Sequence, residues 1–495
     1  MVQHLVKPLL SGLAASEIIS FFLVRASNLH LGDAVRAMGQ AGHLVVPNAR
    51  VVQTLDSFPS AFFPAQFLVM TAGLFVTLVS LLTCRGLFSG IKQKRTRTAL
   101  FILFFILSNL WIILDHGRVQ SVKALAFTLV IPLVVFGAMA VSAPGKGMAV
   151  ARHSMLSFLI ALSIGGTLLV TQADQGFFLG LRDHILFDNQ PGESIVRYYY
   201  RYTPSAAQAI QAPLKQQIKP CWIHPDIPGR KKVEKILAGF GWLTVDHAPS
   251  ADLILDKTSG SLNFLLKTGK PIVPDKGVIV GVREFISSPK SHLEAFSQKA
   301  DTGGGLRQLC LWGLVTALPV FCLLVFFLAA GWAAGIFLPP ALTAPAAGLI
   351  TALLPLILIR AVMPLNPEGP STLEERLSSE NAGIRVAGLR TLSLSREKES
   401  IWDHPMAVAR LKMGTTPERY WLANALALAR RPESVGVLKA LMKDPALNVR
   451  CAAIRGLSRL DRGGTAKGLF REIIATSSHW YEQQYAWQAF KRCRP

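Results

Sequence analysis

A chain of 495 residues in which 51% are hydrophobic and only 17% charged carries more apolar surface than one soluble core consumes. Its formal net charge of +22 and mean hydropathy of +0.37 point to lipid rather than nucleic acid. The cations are dispersed, and one cluster, Arg85, Lys92, Lys94, Arg95 and Arg97, is wedged between apolar runs.

A helix that crosses a bilayer needs about 20 mostly apolar residues. In chain order, the segments that qualify are about 8–24, 65–83, 99–114, 123–142, 154–171, 309–331 and 341–361, the first being the weakest. That first segment follows Lys7 as a signal peptide would, but Val24-Arg25-Ala26-Ser27-Asn28 is not a small-x-small cleavage site, so a retained helix is expected. Glu17 interrupts it. An ionisable group at membrane depth reads as a functional group of a transporter or channel, as the partner of a neighbouring helix, or as the mark of an interfacial helix. Asn109, Asp115 and His116 read as the headgroup-level end of another span.

The short loop with Lys92, Lys94, Arg95 and Arg97 belongs in the cytoplasm by the positive-inside rule, and Lys146 and Arg152 agree. Counting spans from there puts the insertion of about 172–307 on the outer side of a bacterial cytoplasmic membrane. The hairpin through Gly331 to Pro340 returns the C-terminal region to that same side.

The insertion carries Arg197-Tyr198-Tyr199-Tyr200-Arg201-Tyr202, an interfacial belt or, through Tyr199 and Arg201, a partner-binding spot. Strands are expected at Cys221-Trp-Ile, Trp242 to Asp246, Asp252 to Asp256, Pro271-Ile-Val and Val278-Ile-Val, and helices at Gly229 to Phe240 and Leu262 to Leu266. This is a small α/β domain over about 217–283, an order that carries no function by itself. Gly303-Gly-Gly305 lacks the strand, helix and Lys of a phosphate loop. Cys221-x-x-His224 is half a metal site, with His247 the one nearby candidate ligand, or the nucleophilic pair of a membrane enzyme. No metal or cofactor is expected. The six cysteines show no short even spacing and argue against a disulfide scaffold.

Pro364 to Pro370 breaks the last span, and Ser371-Thr-Leu-Glu374 has a capping-box pattern. Beyond it, Arg385-x-x-Gly-Leu-x-x-Leu392, Arg419-x-x-Leu-Ala-x-x-Leu426, Arg450-x-x-Ala-Ile-x-x-Leu457 and Gln483-x-x-Ala-Trp-x-x-Phe490 align at offsets of 34, 31 and 33 residues. Such a period means stacked helical hairpins that bury their core only against neighbours. Outer helices are expected at about 371–378, 402–412, 434–443 and 465–475.

Asp444, Val449, Arg450, Ala453 and Leu457 resemble the inner helix of the HEAT-like repeats of the bacterial phycobilin-lyase type, and Ile384, Arg385 and Leu392 match it in part. The second copy has Glu418-Arg419 in place of Val-Arg, and the fourth has no Arg. The resemblance covers the last quarter of the chain and implies a protein-binding scaffold, with no bilin chemistry. The arginines read as ladder contacts to an acidic group or carbonyl of a neighbouring turn. Trp421, Trp480 and Tyr481 read as exposed anchors for a partner or, for at least one of the two tryptophans, as core packing.

The expected architecture is therefore mainly α: a polytopic membrane region at 1–171, an extramembrane loop with its α/β insertion domain at 172–307, a membrane hairpin at 308–361 and a HEAT-like α-solenoid at 371–495. The expected function is a non-enzymatic membrane scaffold or complex subunit that binds other proteins and lipids but not nucleic acid. The alternatives are a transporter or channel component using Glu17 and a membrane enzyme using Cys221 and His224.

Overall fold

The computed structural model describes residues 2–90, 122–141, 175–187, 189–258, 261–266, 279–362, 372–394, 400–461 and 464–493, with scattered residues within 93–109 and 157–167. The chain is mainly helical. The first part holds α1 (Val2–Gln40), α2 (Ala49–Leu55), α3 (Phe58–Leu68), a π-turn at Val69–Gly73, α4 (Leu74–Gly90) and α5 (Val122–Val141). Next come α6 (Gln175–Arg182), a π-turn at Asp183–Phe187 and α7 (Gln190–Ile210). An α/β module follows with β1 (Pro220–Ile223), α8 (Arg230–Gly239), β2 (Leu243–Thr244), β3 (Leu253–Thr258), β4 (Ser261–Leu266), β5 (Ile279–Gly281), α9 (Val282–Ser287) and α10 (Pro289–Ala300). Then come α11 (Gly304–Trp312), a π-turn at Gly313–Ala317, α12 (Leu318–Phe337) and α13 (Pro340–Val362). The remainder is α14 (Leu373–Ser378), α15 (Ala382–Leu394), α16 (Pro405–Lys412), α17 (Thr416–Ala429), α18 (Glu433–Leu441), α19 (Leu447–Leu460), α20 (Lys467–Thr476) and α21 (Trp480–Arg492).

Two compact units result, residues 1–153 with 202–328 and residues 154–201 with 329–495. The division falls within α7 and within α12.

Four helical stretches are long and apolar enough to cross a membrane, Val6–Gln40, Phe58–Arg85, Lys123–Val141 and Gly304–Phe337, which is compatible with an integral membrane protein. A shorter apolar stretch, Ala341–Leu354, lies in α13. The first helix runs well past the expected 8–24, because Glu17 and Arg25 do not break an otherwise helix-forming run. Most of the expected spans at 99–114 and 154–171, and Asp115 and His116, lie outside the described residues.

In the first unit α1 packs on α3, α4 and α5 around a core that includes Leu68, Val76, Phe127, Ile131 and Val135. The approach is close because small residues line it: a Cβ on Gly73 would sit 1.8 Å from the Ser16 hydroxyl. Apolar helices in lipid associate by this kind of contact rather than by hydrophobic burial. The start of α5, the start of α11 and the end of α7 meet at one polar junction. Lys123 Nζ donates to the Ala209 carbonyl at 2.7 Å and Arg307 Nη1 to the Ile210 carbonyl at 2.7 Å, two cations on the last carbonyls of a helix. Asp301 pairs with Arg307. Burial works against the Asp301 carboxylate, but hydrogen bonds from Arg307 and the Gly303 amide, with the charges of Arg307 and Lys123, hold it below its ordinary range.

The sheet runs β2-β1-β3-β4-β5, parallel across β2, β1 and β3 and antiparallel across β4 and β5. Trp242, Val233, Leu237, Leu253, Leu255 and Phe285 form its core. Leu262 to Leu266, expected as helix, is β4. A five-residue apolar run does not distinguish the two by periodicity, and its antiparallel pairing to β3 decides the matter. The strand expected at Pro271 lies outside the described residues. The far end of α1 docks on this module through His30 Nε2 to Asp252 Oδ1 at 2.8 Å, and His43 Nε2 lies 2.9 Å from the Thr244 carbonyl oxygen.

In the second unit α14, α16, α18 and α20 pair with α15, α17, α19 and α21, and each of these latter helices also packs on the next. All four outer helices fall within a few residues of their expected positions. Gly456 in α19 shows why small residues recur on this seam: a Cβ there would lie 3.2 Å from Ala427 Cβ and 3.3 Å from the Ala423 carbonyl oxygen. The helix start expected as a Ser371 to Glu374 capping box is capped instead by Thr372, whose hydroxyl accepts from the Glu375 amide at 3.3 Å.

Candidate interaction surface

The aligned arginines are tied to the next copy and to the loop before their own helix. Arg385 Nε donates to Glu418 Oε1 at 2.5 Å, while its Nη1 donates to the carbonyls of Ser379 and Glu380 at 2.6 and 2.8 Å. Arg419 Nε meets Asp444 Oδ2 at 2.6 Å and its Nη1 binds the Gly414 carbonyl. Arg450 Nε meets Glu482 Oε1 at 2.7 Å and its Nη1 the Asp444 carbonyl at 2.9 Å. In the fourth copy Gln483 Nε2 makes the loop contact, donating to the Ser477 carbonyl at 2.6 Å.

Glu418 is 1% exposed and fully satisfied, since its second oxygen accepts from the Thr415 amide and hydroxyl at 2.7 and 2.8 Å. Burial raises its pKa. The Arg385 and Thr415 hydrogen bonds and the Arg385 charge outweigh that and hold it below the ordinary value.

A second polar node lies between the π-turn Asp183–Phe187 and the inner helices. Asp183, 5% exposed, accepts from Trp421 Nε1 at 2.6 Å and from Arg390 Nη2 at 2.9 Å on Oδ2, and from Arg182 Nη2 at 2.5 Å on Oδ1. Arg182 also lies over the rings of Phe187, Tyr420 and Trp421 at 4.9, 5.0 and 5.4 Å. Further along, Tyr200 meets Tyr481 edge-on at 4.5 Å, and burial, with neighbouring tyrosines and Cys451, pushes the Tyr200 phenol well above its ordinary pKa. Residues 183–200 therefore occupy part of the surface expected to receive a partner.

This node places the sequence-derived candidates. Trp421 and Trp480 are each 5% exposed, which is core packing rather than exposed anchoring: an indole is large enough to fill the inter-helix seam, and that of Trp421 finds a buried acceptor. Tyr481 is half-buried against Tyr200. Tyr199, at 44%, and Arg201 remain exposed. Sequence reasoning missed Asp183, whose one signal was a carboxylate at the end of an apolar run in a basic chain. It also missed Met406 and Met413, each 84% exposed. Seven residues apart along α16 and its C-cap, they fall on one helix face.

Glu17 lies in the first unit, where its Oε2 accepts from Gln66 Nε2 at 2.8 Å. Its Oε1 and the hydroxyls of Ser16, Ser20 and Thr77 are buried without a hydrogen-bond partner among the described residues. Cys221 is wholly buried in β1, and burial, with the charge of Glu234, pushes its thiol up to about 12, which leaves no thiolate for nucleophilic attack near neutrality. His224 instead lies after the strand, its Nδ1 accepting from the Asp226 amide at 3.2 Å. Among the described residues no group of three or more His, Cys, Asp and Glu is placed to hold a metal ion.

No family model, curated protein or solved structure matches the chain.

Proposed function

We propose that the chain is a non-enzymatic integral membrane scaffold or complex subunit, whose C-terminal helical pairs form a HEAT-like solenoid that recruits or assembles partner proteins. The observation that carries this reading is the exposed apolar pair Met406 and Met413 on helices braced by the Arg385, Arg419 and Arg450 ladder. Methionine is a flexible, polarisable side chain suited to adaptable protein contacts, and Tyr199 and Arg201 add residue types favoured in binding spots. The dense basic loop from Arg85 to Arg97 supports a cytoplasmic position for that loop, with the α/β module and the solenoid on the extracytoplasmic side of a bacterial inner membrane. Removing residues 371–495 should abolish recovery of a partner with the solubilised protein while leaving its resistance to alkaline extraction unchanged; equal recovery with and without them contradicts the proposal.

A second reading rests on Glu17. A carboxyl group at membrane depth that accepts from Gln66 through one oxygen and leaves the other buried without a partner among the described residues is the kind of group that couples ion movement. Under it, Glu17→Gln stops proton or cation flux into proteoliposomes at unchanged protein level; under the scaffold reading that substitution leaves partner recovery intact.

A further inference from the structure

A cavity of about 560 Å³ opens where the end of α17, the start of α18, the end of α19 and the turn into α20 converge. Val435 and Leu457 contribute to its apolar floor, and Arg430, Arg431, Lys439 and Arg459 stand around it. We propose that this cavity binds a phosphate-bearing group, supplied by a soluble phosphoester or by a lipid headgroup. It lies outside the surface assigned to partner proteins and does not depend on that assignment.

Charge is the first argument. The carboxylate that lines the cavity, Asp461, accepts from the Thr465 amide and hydroxyl at 3.0 and 2.8 Å and from the Ala466 amide at 2.5 Å, so its oxygens are held by the turn into α20, and one carboxylate stands against four lining cations. Arg431 is paired with Asp403 at 3.1 Å. Arg430, Lys439 and Arg459 make no hydrogen bond or ion pair among the described residues. Three unneutralised cations thus share one concavity, and partial burial with the crowding of Arg455 and Arg492 lowers the Arg459 pKa. Such an array repels itself until an anion enters.

Backbone geometry is the second argument. Arg430 caps α17 with φ of +51°, the one non-glycine residue in the left-handed region among the described residues. Glycine or asparagine ordinarily fills this position, because a Cβ there crowds the following carbonyl oxygen. Retaining an arginine keeps a guanidinium on the cavity rim despite that crowding. A phosphate, with up to two negative charges and three acceptor oxygens, matches forked guanidinium donors, and a lysine adds a point charge.

The left-handed turn makes a clean test, since Arg430→Gly removes the guanidinium and relaxes the backbone together. In the full-length protein in phosphatidylcholine nanodiscs, inorganic pyrophosphate titrated calorimetrically should bind saturably to the wild type. Native mass spectrometry should count phosphatidic acid retained over phosphatidylcholine if the group is a headgroup. With either probe Arg430→Gly should bind roughly ten- to hundredfold more weakly with an unchanged or higher melting temperature, and Lys439→Ala with Arg459→Ala should weaken binding in the same direction. Pyrophosphate binding alone, or phosphatidic acid retention alone, assigns the source. Binding of neither probe, or equal binding by wild type and both variants, overturns the proposal.

Discussion

Replacing Asp183 by alanine should destabilise the C-terminal unit by about 3–5 kcal/mol, the usual cost of removing one partner from a buried charge pair. The carboxylate serves Arg182, Arg390 and the Trp421 indole together, and Arg390 is only 6% exposed. Its loss takes a carboxylate from beside a buried guanidinium and the acceptor from the Trp421 indole N–H. The segment 183–200 then loses its buried charge anchor, while Phe187 against Tyr420, Tyr200 against Tyr481 and the weak 3.4 Å contact of Thr416 with Glu193 remain. Limited proteolysis should cut within 183–200 at a rate far above wild type, and tryptophan emission should shift to the red as Trp421 becomes wet. Wild-type proteolysis and emission in Asp183→Ala would show that the node contributes nothing.

Glu418→Ala carries the second large effect, again about 3–5 kcal/mol, because Arg385 is left buried and the Thr415 cap is broken at once. The pH dependence separates charge from packing. Because folding holds the Glu418 pKa below its ordinary 4.5, the carboxylate's contribution is fully present above that value and is lost as pH falls through the folded pKa. Melting temperatures of wild type and Glu418→Gln should therefore lie far apart at pH 7 and draw together as pH falls below the ordinary 4.5 toward the folded pKa. A gap that stays constant down to pH 3 would mean that the ion pair is not what Glu418 supplies.

Much of this architecture is legible in the sequence because it is written in periods. Apolar runs of span length and a repeat of 31 to 34 residues locate the helices, and the Arg385, Arg419 and Arg450 alignment anticipates a ladder before any partner is known. Partner identities are harder. Glu418 and Glu482 stand directly before Arg419 and Gln483, whereas Asp444 stands six residues before Arg450, so no single spacing predicts all three acids. The node at Asp183 is more than 200 residues from Arg390 and Trp421 in the chain, and a lone carboxylate with no periodic context announces no such contact. The same distance explains why local sequence leaves Trp421 open between an exposed anchor and core packing, and the fold buries it. Leu262 to Leu266 failed for a different reason: a short apolar run takes its secondary structure from the strand it pairs with, which tertiary context alone supplies.

Whether the braced helical pairs receive a partner protein is tested most directly by photo-crosslinking in the native membrane from a reactive amino acid at position 413, where Met413 is 84% exposed. Lys290, at 76% side-chain exposure in the α/β module, provides the control position. A discrete protein adduct from position 413 that is absent from position 290 is the predicted result. No protein adduct from position 413, or the same adducts from both positions, would contradict a docking role for this surface.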